Sequence, residues 1–385
     1  MSRTVPHARS IFLVICVSLA SSSLRAEVEV SGHLDLVGRR FQSATDFTNR
    51  TFAGQSNFSA VHSRLFFDAM VSENTTVFVQ IYSTAYGYID LHGAYIRLEK
   101  LFGSSLNLQV GRIPNTIGTW GARTYSPINP LIGVPLVWNH HTSLDPGTLG
   151  ATPTIQQLLA LRDLRPQGGM PILYDFCWNG GVELYGSLGK LDFSVAALSG
   201  SVTKPLVEQS KELPQATARV SFAPSPGFII GTSGFYGPYL FGAEFGGIQY
   251  FADSTKPSDY MNMGGGGDLY LAHGALELYS EAYFASWEYP NLPTLNAFSG
   301  YAEAKYKFAT GWYLAGRFDL FEPGKVSVNQ VEENWDYKLK RYEYGLGYKP
   351  NRNLIVKAVS QLNRFSQKPS FDLDHYAIQF ALDFR

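Results

Sequence analysis

Glu277 and Glu281 stand four residues apart in a segment where every second side chain is polar, so an extended strand puts both carboxylates on one face. Two acids on one face could divide the work of general acid and general base. They could equally belong to a charged wall that meets water. The same alternate-position rule gathers Arg39, Arg64, Asp68, Arg97, Glu183, Arg219, Arg317 and Asp319 onto polar faces of other segments. Both signs are spread along the whole chain, and no nucleophile with a base in register is readable. His140 and His141 are adjacent, and neighbouring residues of an extended chain face apart, so no metal site is expected. The glycine run 264–267 lacks the Lys-Ser and helix that a phosphate cradle needs. No enzyme activity and no cofactor are therefore expected. Scattered charges of both signs suit a surface along which small solutes or ions pass.

The elements that position these charges are read from a period of two. Val28, Val30, Leu34 and Leu36 alternate with Glu29, His33 and Asp35. Tyr376, Ile378, Phe380, Leu382 and Phe384 alternate with His375, Gln379 and Asp383. Between these ends the pattern recurs, as in Trp312, Leu314, Phe318 and Leu320 against Arg317 and Asp319. In a soluble sandwich the oily faces would form the core. Here the oily rows end in Trp312, Phe308, Tyr348 and Phe384, and aromatic girdles at two interfaces belong to membrane barrels. Connections also alternate between short turns, such as 310–311, and long stretches, such as 322–336. The fold class expected is all-β: a transmembrane antiparallel β-barrel of about sixteen strands with one long infolded loop. Segment 237–260 could hide one more hairpin, which would make eighteen.

Composition agrees with this reading. Aromatics make up 14% of the 385 residues, charged residues only 16%, and glycine is abundant at 37. The formal charge of −1 gives no reason to expect nucleic acid as a partner. Arg3, His7 and Arg9 precede a short apolar run, 11–20, and small residues up to Ala26. That is the pattern of a secretory leader over 1–26, with the barrel over 27–385. Removing the leader leaves Cys177 alone, so no internal disulfide can form. No stretch of about 18 apolar residues offers a spanning helix. The bacterial outer membrane is the expected location, with outer-membrane lipid as a partner.

The longest connection, 113–177, carries prolines at 114, 127, 130, 135, 146, 153, 166 and 171. It also holds one amphipathic helix, expected over 154–164 with Thr154 as cap. Its apolar residues, among them Leu131, Ile132, Val134 and Trp138, argue for an ordered segment. The expectation is that it folds into the barrel and narrows the lumen; an external lid is the alternative. Its charges are Arg123, Arg162 and Arg165 against Asp145 and Asp163, with Asp175 and the His140–His141 pair. This balance points to a non-specific or weakly selective constriction.

Three stretches carry a family resemblance: Leu-Gln-Val-Gly-Arg-Ile at 108–113, Asn-Pro-Leu-Ile-Gly-Val-Pro-Leu at 129–136, and Trp-Asn-Gly-Gly-Val at 178–182. Through them the mature chain resembles outer-membrane porins, loosely those grouped with the phosphate-selective porins. The resemblance implies a sixteen-strand barrel, an infolded third outer loop and often a homotrimer. The ladder of stacked arginines and lysines used by phosphate specialists has no counterpart in this sequence. The functional expectation is passive diffusion of small hydrophilic solutes or ions. A substrate-specific channel for sugars or anions is the alternative, and a barrel enzyme or adhesin stands further off.

Overall fold

Alternation of oily and polar residues at two-residue spacing leaves a chain one economical option in lipid: pair every strand on both edges and close the sheet. The computed structural model does this. It describes residues 27–41, 47–49, 57–84, 89–150, 152–165, 168–175, 178–204, 213–240, 244–245, 248–249 and 257–385. The expected leader, 1–26, and Cys177 lie outside the described residues.

The first nine strands are β1 (Glu27–Phe41), β2 (Val61–Ser72), β3 (Thr75–Thr84), β4 (Ile89–Leu98), β5 (Leu106–Ile113), β6 (Asn179–Leu188), β7 (Leu191–Leu198), β8 (Gln215–Ser225) and β9 (Phe228–Pro238). A two-residue pair, β10 (Glu244–Phe245) and β11 (Ile248–Gln249), follows. Then come β12 (Met261–His273), β13 (Leu276–Trp287), β14 (Leu295–Ala309) and β15 (Trp312–Pro323). A short hairpin, β16 (Lys325–Val328) and β17 (Val331–Asn334), precedes β18 (Leu339–Tyr348), β19 (Leu354–Phe365) and β20 (Leu373–Phe384).

Sixteen of these strands, all but β10, β11, β16 and β17, form one closed antiparallel barrel in chain order. The two small pairs bond only to themselves, so segment 237–260 adds no barrel strand. The last strand closes on the first, with Gly32 opposite Phe384 and Phe41 opposite His375. Glu27 at the start of β1 and Phe384 at the end of β20 both lie at the short-turn rim, where Glu27 faces Met70 beside the 72–75 turn. Tight turns there rely on left-handed glycines, such as Gly274 (φ 59°) and Gly311 (φ 77°).

The faces divide as the pleat requires. Val28, Leu36, Leu314, Ile378 and Phe380 are 45–53% exposed on the outside. At the short-turn rim Trp312 stacks on Tyr348 with ring centroids 4.3 Å apart, and Tyr342, Tyr344 and Tyr376 are exposed toward the other rim. Such an apolar band between aromatic girdles is a lipid-facing surface. Inside, the core is built from two parties. Inward residues such as Phe235, Tyr283, Trp287, Phe321 and Phe365 pack against Trp120, Val137, Trp138 and Leu158 of the long connection. The inner face is therefore not uniformly polar: its long-loop half is lined by aromatic rings.

Candidate functional site

The site is the barrel interior and the segment that fills it. After β5 the chain enters through proline-punctuated turns and three helices: α1 (Leu136–Asn139), α2 (Pro146–Leu149) and α3 (Ile155–Leu164). Asp145 caps α2 by accepting from Gly147 N. Thr154 and Gln157 form a reciprocal capping box at α3. These local bonds satisfy backbone groups that the helix ends leave without an intrahelical partner.

The wall then holds the segment by its backbone. Arg317, on β15, donates to Glu303 (3.2 Å), Asp319 (3.1 Å) and Glu343 (2.7 Å). Each of these carboxylates in turn grips the segment. Glu303 accepts from Arg123. Asp319 accepts from Leu136 N at 2.9 Å. Glu343 accepts from Ile132 N at 3.1 Å and Gly133 N at 2.7 Å. Gly133 permits that approach, since a Cβ there would lie 2.2 Å from Glu343 Oε2. On β13, Glu281 takes Thr119 N and Trp138 Nε1, both at 2.6 Å. Lys357, on β19, donates to the carbonyls of Ser126, Asn129 and Leu131 at 2.6, 2.8 and 3.1 Å. Arg341 donates to the carbonyl of Val134 at 2.8 Å. Buried charges are tolerated because every one of these anchors is paired or hydrogen-bonded.

The segment thus docks against the wall on both sides of the lumen. At mid-height every barrel strand carries an inward residue that is less than one-tenth exposed, from Asp35 on β1 to Gln379 on β20. Water-facing space remains at the short-turn mouth. A cavity of about 570 Å³ is lined there by Arg97, Glu99, Gln109, Glu183, Asp192 and Arg219. A second, of about 320 Å³, lies across the mouth beside Lys305, Lys307 and Tyr313.

The ten wall charges expected from the sequence all fall on the inward side of their strands, but they divide by use. Arg97, Glu183 and Arg219 border the larger cavity. Asp68 sits on the same arc, half-buried, and Arg39 is exposed toward the long-loop rim. Glu277 pairs with Lys305 and Lys307. Arg64 lies over the rings of Tyr82 and Tyr125, at 5.2 and 5.0 Å. Glu281, Arg317 and Asp319 are at most 3% exposed and hold the segment in place. They line packed protein rather than water.

The charges of segment 113–177 do not ring an opening. Arg123 alone reaches deep, against Glu303 and the ring of Tyr279. Arg162 binds Glu333 and the carbonyl of Asn334. Arg165 binds Asp336 at 2.8 Å, and Asp163 meets Tyr337 and Lys368. These three tie α3 to the outer connections after β15 and β19. Asp145 is occupied as a cap. His141 is buried near Tyr174. His140 lies 3.7 Å from Asp336, and burial lowers its pKa from 6.5 to about 4, so it is neutral at physiological pH. None of these seven side chains lines an opening: Arg162, Asp163, Arg165 and His140 face the outer connections, Asp145 and His141 stay within the segment, and Arg123 reaches the wall.

Glu303, Arg341, Glu343 and Lys357 escaped the sequence reading as site residues. Their inward phase was legible from the alternation. Their role was not, since Arg341, Glu343 and Lys357 hold backbone groups of the distant 126–136 stretch and Glu303 holds Arg123 of the same segment.

No protein-family model matches the chain, and no curated protein matches it in sequence. Solved structures do share its fold. One is a loop L8 deletion mutant of OmpT, an outer membrane protein of Vibrio cholerae, with TM-score 0.58, 11% identity, and coverage of 93% of this chain and 99% of that one. Another is an anion-selective porin from Comamonas acidovorans, with TM-score 0.56, 8% identity, and coverage of 93% and 100%. A third is the outer membrane channel DcaP of Acinetobacter baumannii, with TM-score 0.56, 12% identity, and coverage of 94% and 99%. The chain is a sixteen-stranded β-barrel of the bacterial outer membrane. Its long loops then face the exterior and its short turns the periplasm.

Proposed function

We propose that this barrel is a channel for small hydrophilic solutes whose aperture is set by the docked segment 113–177. The observation that carries the reading is the combination of a sixteen-strand wall, wide enough for an aqueous lumen, with a water-facing cavity of about 570 Å³ inside it. A purely structural barrel has no use for charged residues around such a space. The porin and channel named among the similar structures support the same class. Transport is favoured over catalysis because the buried acids and bases are engaged with each other and with the segment backbone, as around Arg317. Burial on every strand at mid-height favours a gated or narrow path over a permanently wide one. Phosphate selectivity is not part of the proposal, since Arg317, Arg341 and Lys357 are occupied as anchors. A homotrimer remains the assembly that the porin resemblance suggests.

Planar-bilayer recording tests the proposal. The purified protein should give discrete current steps without added substrate. A variant with weakened anchors, Glu281→Ala, should give larger or more frequent steps. Silence from both proteins, with the barrel intact, would overturn the channel reading.

A further inference from the structure

Charge is distributed unevenly along the inner wall. At mid-height acids and bases are bonded to one another, as in the Arg317 cluster, so that zone presents little net field. The short-turn mouth is different. On the arc from β1 to β7, Glu29, Asp68, Glu99, Glu183 and Asp192 share the inward side of the mouth with one base among the described residues, Arg97. Glu29 stands directly opposite Asp68 in the β1–β2 register, an arrangement of like charges that costs stability by itself. Glu183 accepts from the neutral Gln109 side chain, and Asp192 from the neutral Ser187 hydroxyl. Arg97 donates to Tyr95 Oη at 3.1 Å and stays 4.0 Å from Glu99. The nearby Arg219 is cancelled by Asp268 at 2.6 Å. Across the mouth, Lys305 and Lys307 share Glu277 and Lys349 borders the same cavity, a smaller excess of the other sign.

We infer that the channel prefers cations, including small organic amines, and that the acidic arc at the short-turn mouth sets this preference. The inference rests on the channel reading above. Carboxylates around a vestibule with low-dielectric walls concentrate cations and deplete anions. The segment charges contribute little, because Arg162, Asp163 and Arg165 are paired at the outer end and Arg123 is paired with Glu303 of the wall.

The test is the reversal potential across a KCl gradient in planar bilayers. Wild-type protein should show a K+ over Cl− permeability ratio of several-fold in dilute salt. The ratio should approach one near 1 M KCl, where the screening length falls to about 3 Å. The triple variant Asp68→Asn, Glu183→Gln, Asp192→Asn should still conduct, with smaller steps in dilute salt as the local cation excess is lost, and should lose the preference even there. Glu332→Gln, on the exposed outer hairpin, should leave the ratio at its wild-type value. Current with no cation preference, or a triple variant as selective as wild type, sinks this inference and leaves the channel reading standing. Absence of current from wild type and from Glu281→Ala brings down the channel reading, and this inference with it.

Discussion

Trp138 Nε1 donates to Glu281 Oε2 at 2.6 Å, joining the helical start of the plug to the middle of the barrel wall. The same carboxylate takes Thr119 N, so one side chain fixes two points nineteen residues apart in sequence. Glu281→Ala leaves three donors, Thr119 N, Thr119 Oγ1 and the buried Trp138 Nε1, without this acceptor. The docking should weaken by about 2–3 kcal/mol, the usual scale for bonds to a charged partner. Limited trypsin digestion of the folded barrel should then cut after Arg123 or Arg162, which the wild type protects.

Lys357 grips three carbonyls, those of Ser126, Asn129 and Leu131. Lys357→Met keeps the length of the side chain and removes the donors. The turn at 126–131 should detach while the strand itself stays paired. The expected outcome is an unchanged heat-modifiable barrel band with noisier single-channel current. A quiet, wild-type trace would show that the turn does not depend on this lysine.

Val356 points outward on β19, opposite Phe380 in the lipid-facing row. Val356→Arg should destabilise the barrel by about 2–4 kcal/mol if the site lies at the midplane. Urea unfolding in lipid vesicles measures this directly. A change within a few tenths of a kcal/mol would refute the assignment of faces.

Acid should loosen the outer end of the plug before it affects the strands. Burial keeps His140 neutral, with a pKa of about 4 against 6.5 in the unfolded chain. The unfolded form therefore binds the proton more readily, and stability from this group falls as pH drops from about 6.5 toward 4. Asp336 has its pKa held low: burial pushes it up, and Arg165 and His140 outweigh burial. Its contribution is present above the usual carboxylate range and disappears below it. Fluorescence of Trp335 and Trp138 should shift on acidification through pH 6 to 4, and His140→Gln should abolish that early phase.

The strand framework was open to inspection in the sequence because each strand needed only its own alternation. Segment 75–84 matches β3 end to end, and Thr154 caps the helix that the apolar spacing indicated. Phase also told which charges face inward. What alternation cannot supply is distance. Arg317 and Arg97 have the same phase and residue type, yet one is sealed among three carboxylates and the other borders open space. The difference comes from where the 113–177 segment lies, and long-range docking of that kind leaves no local pattern. The hairpin β16–β17 was missed for a related reason: four-residue strands are too short for alternation to register.

The seam between β1 and β20 has a consequence for biogenesis. Gly32 meets Phe384, so the ring cannot shut until β20, the strand farthest from β1 in sequence, has been delivered. Until then two strand edges stay unsatisfied at opposite ends of the chain, each able to recruit a stranger. A chain built this way must keep both edges shielded until they meet, so closure is a single late event and not one that advances strand by strand.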